Sequence, residues 1–182
     1  MDEMAALPTS EPSSALLPAF EAPATDRIWL VAAHGGAGCS TIYASSPDQY
    51  ADAGRALPVS VDPENPSRIV LCSMCTSPGL ESLQALVREW REGRFGASAL
   101  MGLAVTACRR RTPRVLVRSR RLVCSVVERR RSFPLPFIPD TDIDGVPEKF
   151  PRAYLHMSKA LSSLTAMALP SSANQPNQST DK

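Results

Sequence analysis

The sequence predicts an α/β fold: a three-layer sandwich with a mostly parallel sheet of four to five strands and helices on both faces. Three observations carry this. The runs Ile28–Ala33, Arg68–Met74 and Ala99–Cys108 are apolar almost throughout, as strands buried on both faces must be. Each run stops at turn residues, and a stretch with helical spacing follows. Strand, turn and helix in repeated order is the pattern of a parallel sheet covered on both sides.

In chain order, residues 1–25 hold Pro8, Pro12, Pro18 and Pro23 among Ala, Ser and Glu, which predicts a disordered or extended tail. Leu16, Leu17 and Phe20 form a small apolar knot within it. The domain proper is expected over 26–169, with a polar tail over 170–182. After the first strand, Ser40–Ser45 suits a short helix and Tyr50–Ala56 a further helical turn, closed by Leu57-Pro58. Val59–Asp62 is a short extended piece and supplies the optional fifth strand.

The run Arg68–Met74 is the second strand. Ser77 is then placed to cap a helix and Pro78 to begin it. Leu80, Leu83, Leu86, Val87 and Trp90 recur at three and four residues over Gly79–Arg94, giving one apolar face, and Gly93 and Gly96 end it. After Ala99–Cys108, Thr112 and Pro113 suit the start of a helix to about Glu128, with Leu116, Leu122, Val123, Val126 and Val127 inward. Ser132–Pro139 is a last strand whose prolines suit an edge. Pro151–Leu169 closes the chain with Tyr154, Leu155, Leu161 and Leu164 inward and His156 at the surface.

Composition narrows the function classes. At 182 residues, 43% hydrophobic and 21% charged, the chain has the make-up of one globular domain with tails. A net charge of +2 predicts no general attraction to nucleic acid, and 17 of the 20 basic residues are arginine. Asp2 and Glu3 stand where a secretory leader carries basic residues, and Ala97–Cys108 is too short to span a bilayer. Five cysteines without regular spacing suit a reducing cytoplasm.

The chemistry-bearing stretch is Arg27–Thr41. Its strand ends at His34-Gly35-Gly36-Ala37-Gly38, and Cys39-Ser40-Thr41 opens a helix. Consecutive glycines permit positive φ and leave no Cβ in the way of a ligand, so their N–H groups can gather round an anion. The helix start adds a positive end, and Ser40 or Thr41 a hydroxyl for a phosphate oxygen or magnesium. Against the phosphate-loop pattern G-x-x-x-x-G-K-[ST], Ala33 replaces the first glycine and Cys39 the lysine. That lysine neutralises the β- and γ-phosphates during transfer, which a neutral thiol cannot do.

The loop resembles the deviant phosphate loop of the ParA/MinD-type ATPases, K-G-G-x-G-K-[ST]-T. Gly35, Gly36, Gly38, Ser40 and Thr41 match it, while His34 and Cys39 stand at its two lysines. Beyond the loop, Leu100–Ala107 is similar to a late strand of that family and Phe137-Ile138-Pro139-Asp140 to its I-P-x-D. The resemblance implies a reduced P-loop NTPase-like sandwich over about Arg27–Leu169. It also implies a site for ATP or ADP with Mg2+ at residues 34–41, and a cytoplasmic protein accessory to plasmid or mobile-element maintenance or transfer, with a partner from such a system. The family's magnesium-holding aspartate has no counterpart in Arg68–Met74, and Asp62 lies in a loop. Loss of both lysines points away from hydrolysis. A catalytic cation from elsewhere, Lys149 or Lys159, is the remaining way to an active ATPase.

A second reading stays open. Ten arginines lie between Arg109 and Arg131, and Arg114, Arg118 and Arg121 line one helical face, with Arg110 just before it. Such a face meets DNA phosphates, an anionic membrane or an acidic partner around an empty loop. No aromatic residues interleave for stacking on bases. Two weaker patterns are outweighed. Cys72-x-x-Cys75 has redox or zinc spacing, but residues three apart on a strand point to opposite faces. Asp140-x-Asp142-x-Asp144-Gly145 opens like a calcium loop, but Pro151 stands where its glutamate belongs.

Overall fold

The computed structural model describes residues 11–139, 145 and 147–168. Strands β1 (Ala19–Ala22) and β2 (Ile28–Ala32) precede helix α1 (Cys39–Ser45), followed by β3 (Tyr50–Gly54), β4 (Leu57–Ser60) and β5 (Ser67–Met74). Helix α2 (Ser77–Arg91), strand β6 (Ser98–Thr106), helix α3 (Arg114–Cys124), strand β7 (Ser132–Leu135) and helix α4 (Arg152–Ala168) complete the domain. Five strands form one parallel sheet in the order β3-β2-β5-β6-β7. The expected α/β architecture is therefore present.

Alternation along the strands builds the two outer layers. Ile28, Leu30 and Ala32 of β2, with Val70 and Cys72 of β5, face α1 and α4. Val31, Ile69, Leu71, Leu103 and Val105 face the opposite way, toward α2 and α3. Cys72 and Cys75 consequently fall in different layers, both buried, so their thiols lie on opposite sides of the sheet.

Tyr50–Ala56 is not helical. Tyr50–Asp52 pairs in parallel with Ile28–Leu30, with Tyr50 fully buried. Ala51, Ala53 and Ala56 favour a helix weakly, and the ladder to β2 overrides that preference. The extended piece near Val59 is a strand, β4, but it pairs with β1 in a separate two-stranded sheet.

The N-terminal segment also departs from expectation over residues 11–25. Leu17 inserts into the α2-side core, and Phe20 meets Trp29 edge to face at 5.7 Å. The Ser14 hydroxyl and the Ala15 N–H both donate to Glu89, a buried carboxylate on α2 that requires donors. Proline-rich composition favours an inert tail, whereas the apolar knot of Leu17 and Phe20 docks on the domain itself.

Helix details shift in three places. Thr76, not Ser77, caps α2, its extended backbone placing Oγ1 3.1 Å from the Gly79 N–H that donates to it. Helix α3 begins at Arg114 without a side-chain cap and stops at Cys124; Leu122 is 66% exposed. Leu122 lies six residues beyond Leu116, so the two cannot share a face at 3.6 residues per turn. On α4 the buried stripe is Tyr154, Met157, Leu161 and Leu164, and Leu155 points outward. No described helix is long and apolar enough to cross a membrane. The D-x-D-x-D-G stretch and the 170–182 tail lie outside the described residues, except Gly145.

Tyr50 and Tyr154 bury their rings almost completely, and neither hydroxyl makes a hydrogen bond of good geometry. Burial pushes the Tyr50 phenol well up and the Tyr154 phenol to about 12, with the nearby Ser158 and Thr106 hydroxyls offsetting it in part. A folded-state pKa above the unfolded one means full stability below about pH 10 and a loss as pH climbs toward the folded value. Urea unfolding at pH 8 and pH 11 is expected to show that loss. Tyr50→Phe with Tyr154→Phe is expected to shrink it; an undiminished loss in the double variant would assign the alkaline sensitivity to other groups.

Candidate functional site

The strand order creates the site. From β2 the chain steps to β3 on one side and later to β5 on the other, so β2 and β5 flank the point where the winding reverses. In open α/β sheets, ligands bind in the crevice outside the carboxyl ends of strands at such a point. Two loops border it here: Ala33–Gly38 after β2, and Cys75–Thr76 after β5.

The first loop is open on its outer side. Gly35 and Gly36 are exposed, and a Cβ on either would meet nothing within 4 Å. Gly36 and Gly38 take φ of 74° and 86°, conformations that side chains other than glycine's strain to adopt. Gly35 and Gly36 lie in a hydrogen-bonded turn, and among the described residues no backbone N–H from Gly38 to Thr41 makes a hydrogen bond of good geometry. Helix α1 spans only 7 residues, too short to add much field of its own. The cradle is thus a matter of individual amides.

His34 is a brace between the two loops. The Met74 N–H donates to its Nε2 at 3.1 Å, and its Nδ1 lies 2.8 Å from the Gly35 carbonyl oxygen. One ring tautomer, with the proton on Nδ1, satisfies both. The side chain standing at the family's first lysine is therefore engaged by backbone at both nitrogens. Cys39 is buried between α1 and the sheet beside Cys72. That neighbouring thiol, together with burial, pushes Cys72 well above the ordinary range. Cys39 thus sits in the core rather than on the open side of the loop.

Ser40 is exposed, and its hydroxyl donates to Asp52 Oδ2 at 3.4 Å, while the Gly54 N–H holds Oδ1 at 2.8 Å. Asp52 is the middle residue of β3 and pairs with Leu30 of β2. The helical expectation for Tyr50–Ala56 hides it in the sequence. Asp62 falls in the turn leading into β5, at the opposite end of the sheet. Thr106, at the carboxyl end of β6, places an unpartnered buried hydroxyl 3.5 Å from where a Gly38 Cβ would sit.

The arginines divide. Arg110 belongs to the loop after β6 and lines a cavity of about 380 Å³ with Phe137, at the same edge of the sheet as the glycine loop. Arg114, Arg118 and Arg121 are exposed along α3, beside exposed Val115 and Leu122. No carboxylate pairs with these four arginines among the described residues. No family model, curated protein or solved structure matches the chain.

Among the described residues no three His, Cys, Asp or Glu side chains gather to hold a metal ion. Magnesium needs no such cage when phosphate oxygens and water complete its shell, and one carboxylate with a hydroxyl is a usual protein share. Ser40 and Asp52 fit that share.

Proposed function

We propose that the crevice between β2 and β5 binds a phosphate-bearing ligand, such as ATP or ADP with magnesium, without hydrolysing it. The observation that carries this reading is the set of amides from Gly38 to Thr41 without hydrogen bonds of good geometry, beside the open glycines. Those amides would take the phosphate oxygens, and Ser40 with Asp52 would hold the magnesium. The ion's positive charge offsets the Asp52 carboxylate, which alone would repel a phosphate. No lysine or arginine occurs within residues 34–41, so nothing there neutralises a leaving phosphate. The ParA/MinD-like kinship, and with it an accessory role beside mobile DNA, is supported by the match at Gly35, Gly36, Gly38, Ser40 and Thr41.

Calorimetry on the full chain tests this. ADP is expected to bind with magnesium, and Asp52→Asn to weaken the magnesium-dependent part about tenfold, the scale of one charge-assisted contact. No heat with ATP, ADP or GTP would end the proposal. Phosphate release abolished by Ser40→Ala would replace it with an active ATPase.

The exposed row Arg114, Arg118 and Arg121 favours a second reading, in which α3 carries the interaction and the loop is empty. Val115 at 69% and Leu122 at 66% exposure stand in the same row, which suits an acidic protein surface with apolar spots better than a phosphate backbone. Salt-dependent retardation of DNA, lost on Arg114→Glu with Arg118→Glu, would favour nucleic acid instead.

A further inference from the structure

A second concavity lies at the C-terminal end of α3, where Arg121, the last arginine of that row, also borders it. The last turns of α3, the turn Arg129–Arg131 and the start of β7 border an open hollow of about 580 Å³. Arg120, Arg121 and Arg129 line it, with Ser132 adding a hydroxyl and Val127 and Pro134 an apolar wall. None of these three guanidinium groups has a carboxylate within 4.0 Å among the described residues. The only acidic residue between Arg109 and Arg131 is Glu128, and Arg130 occupies it.

Three like charges round one hollow repel each other, and a concave wall concentrates their field. An anion that enters relieves the repulsion, and the planar guanidinium fork matches phosphate geometry. Arg120 is half-buried and leans toward the core, close enough to Cys75 and Cys124 to draw both thiols down against the burial that raises them. That side chain is therefore not splayed into solvent as a merely solubilising arginine would be. The volume lies in the range of small-ligand sites, and the apolar wall suits an organic body.

We infer that this hollow is a binding site for a small organic phosphate, separate from the glycine loop and independent of what the loop binds. Three cations meet the phosphate, Ser132 supplies a hydroxyl, and Val127 with Pro134 covers the carbon skeleton.

Amide NMR of the full chain, titrated with pyrophosphate and with fructose 1,6-bisphosphate, locates and measures the binding. Saturable shifts are expected at Ser125, Val127 and Ser132. Arg120→Gln with Arg129→Gln should weaken binding at least tenfold, and Arg114→Gln with Arg118→Gln less than twofold. If the first pair fails to fold, Ser125→Asp places a carboxylate at the exposed rim and should abolish the same shifts. Equal losses in the two arginine pairs would reduce the site to diffuse basic surface. Shifts confined to Gly35–Thr41, or none that saturate, would overturn it.

Discussion

Leu71→Ala is expected to lower the stability of the domain by about 3–5 kcal/mol. Leu71 is fully buried on β5, the middle strand of the five, and packs in the layer between the sheet and α2. Strands flank it on both sides, paired through Val31 and Leu103, so the backbone cannot collapse into the space left. The loss then includes the residual cavity as well as the transfer term. Against a total of about 5–15 kcal/mol for an ordinary domain, this removes a large fraction. Urea unfolding followed by tryptophan fluorescence measures it. A drop under about 1 kcal/mol would mean that β5 is not a central strand.

Gly79→Ala is expected to cost about 2–3 kcal/mol, the range for overpacking a site that cannot relax. A Cβ there would stand 2.4 Å from the Met74 carbonyl oxygen and 2.9 Å from both His34 Nε2 and Thr76 Oγ1. The first contact is backbone of β5 and has nowhere to go. The other two are the brace and the helix cap, so one methyl disturbs the crevice from three directions. His34→Ala serves as the comparison, since it removes only the bridge between the loops at about 1 kcal/mol. Thermal unfolding of both variants reads the difference. Should Gly79→Ala prove the milder one, the two loops are less closely joined than this geometry requires.

The sheet's interior was legible in the sequence because strands buried on both faces cannot hide: β2, β5 and β6 stand out as uninterrupted apolar runs. The edges were not. Tyr50–Gly54 is a short edge strand with Tyr50 alone buried, and its alanines carry a helical preference that only pairing with β2 defeats. Losing that strand also lost Asp52, and with it the partner of Ser40. The glycine loop was legible as a motif, but the part played by His34 was not. A histidine at a lysine's position reads as a weak cation, whereas the Met74 amide that occupies it comes from 40 residues away. The outward turn of Leu122 was hidden similarly, since an apolar residue's face depends on where its helix stops.

The clasp formed by residues 13–22 bears on how the domain can be cut. Ser13 donates to the Arg94 carbonyl, Leu17 fills the core beside α2, and β1 covers one edge of β4. A fragment begun at the first central strand would strand the Glu89 carboxylate inside without its Ser14 and Ala15 donors and bare a sticky β-edge. Expression boundaries for a minimal version therefore belong upstream of Ser13, and proteolytic trimming that reaches Leu17 should make the domain aggregate.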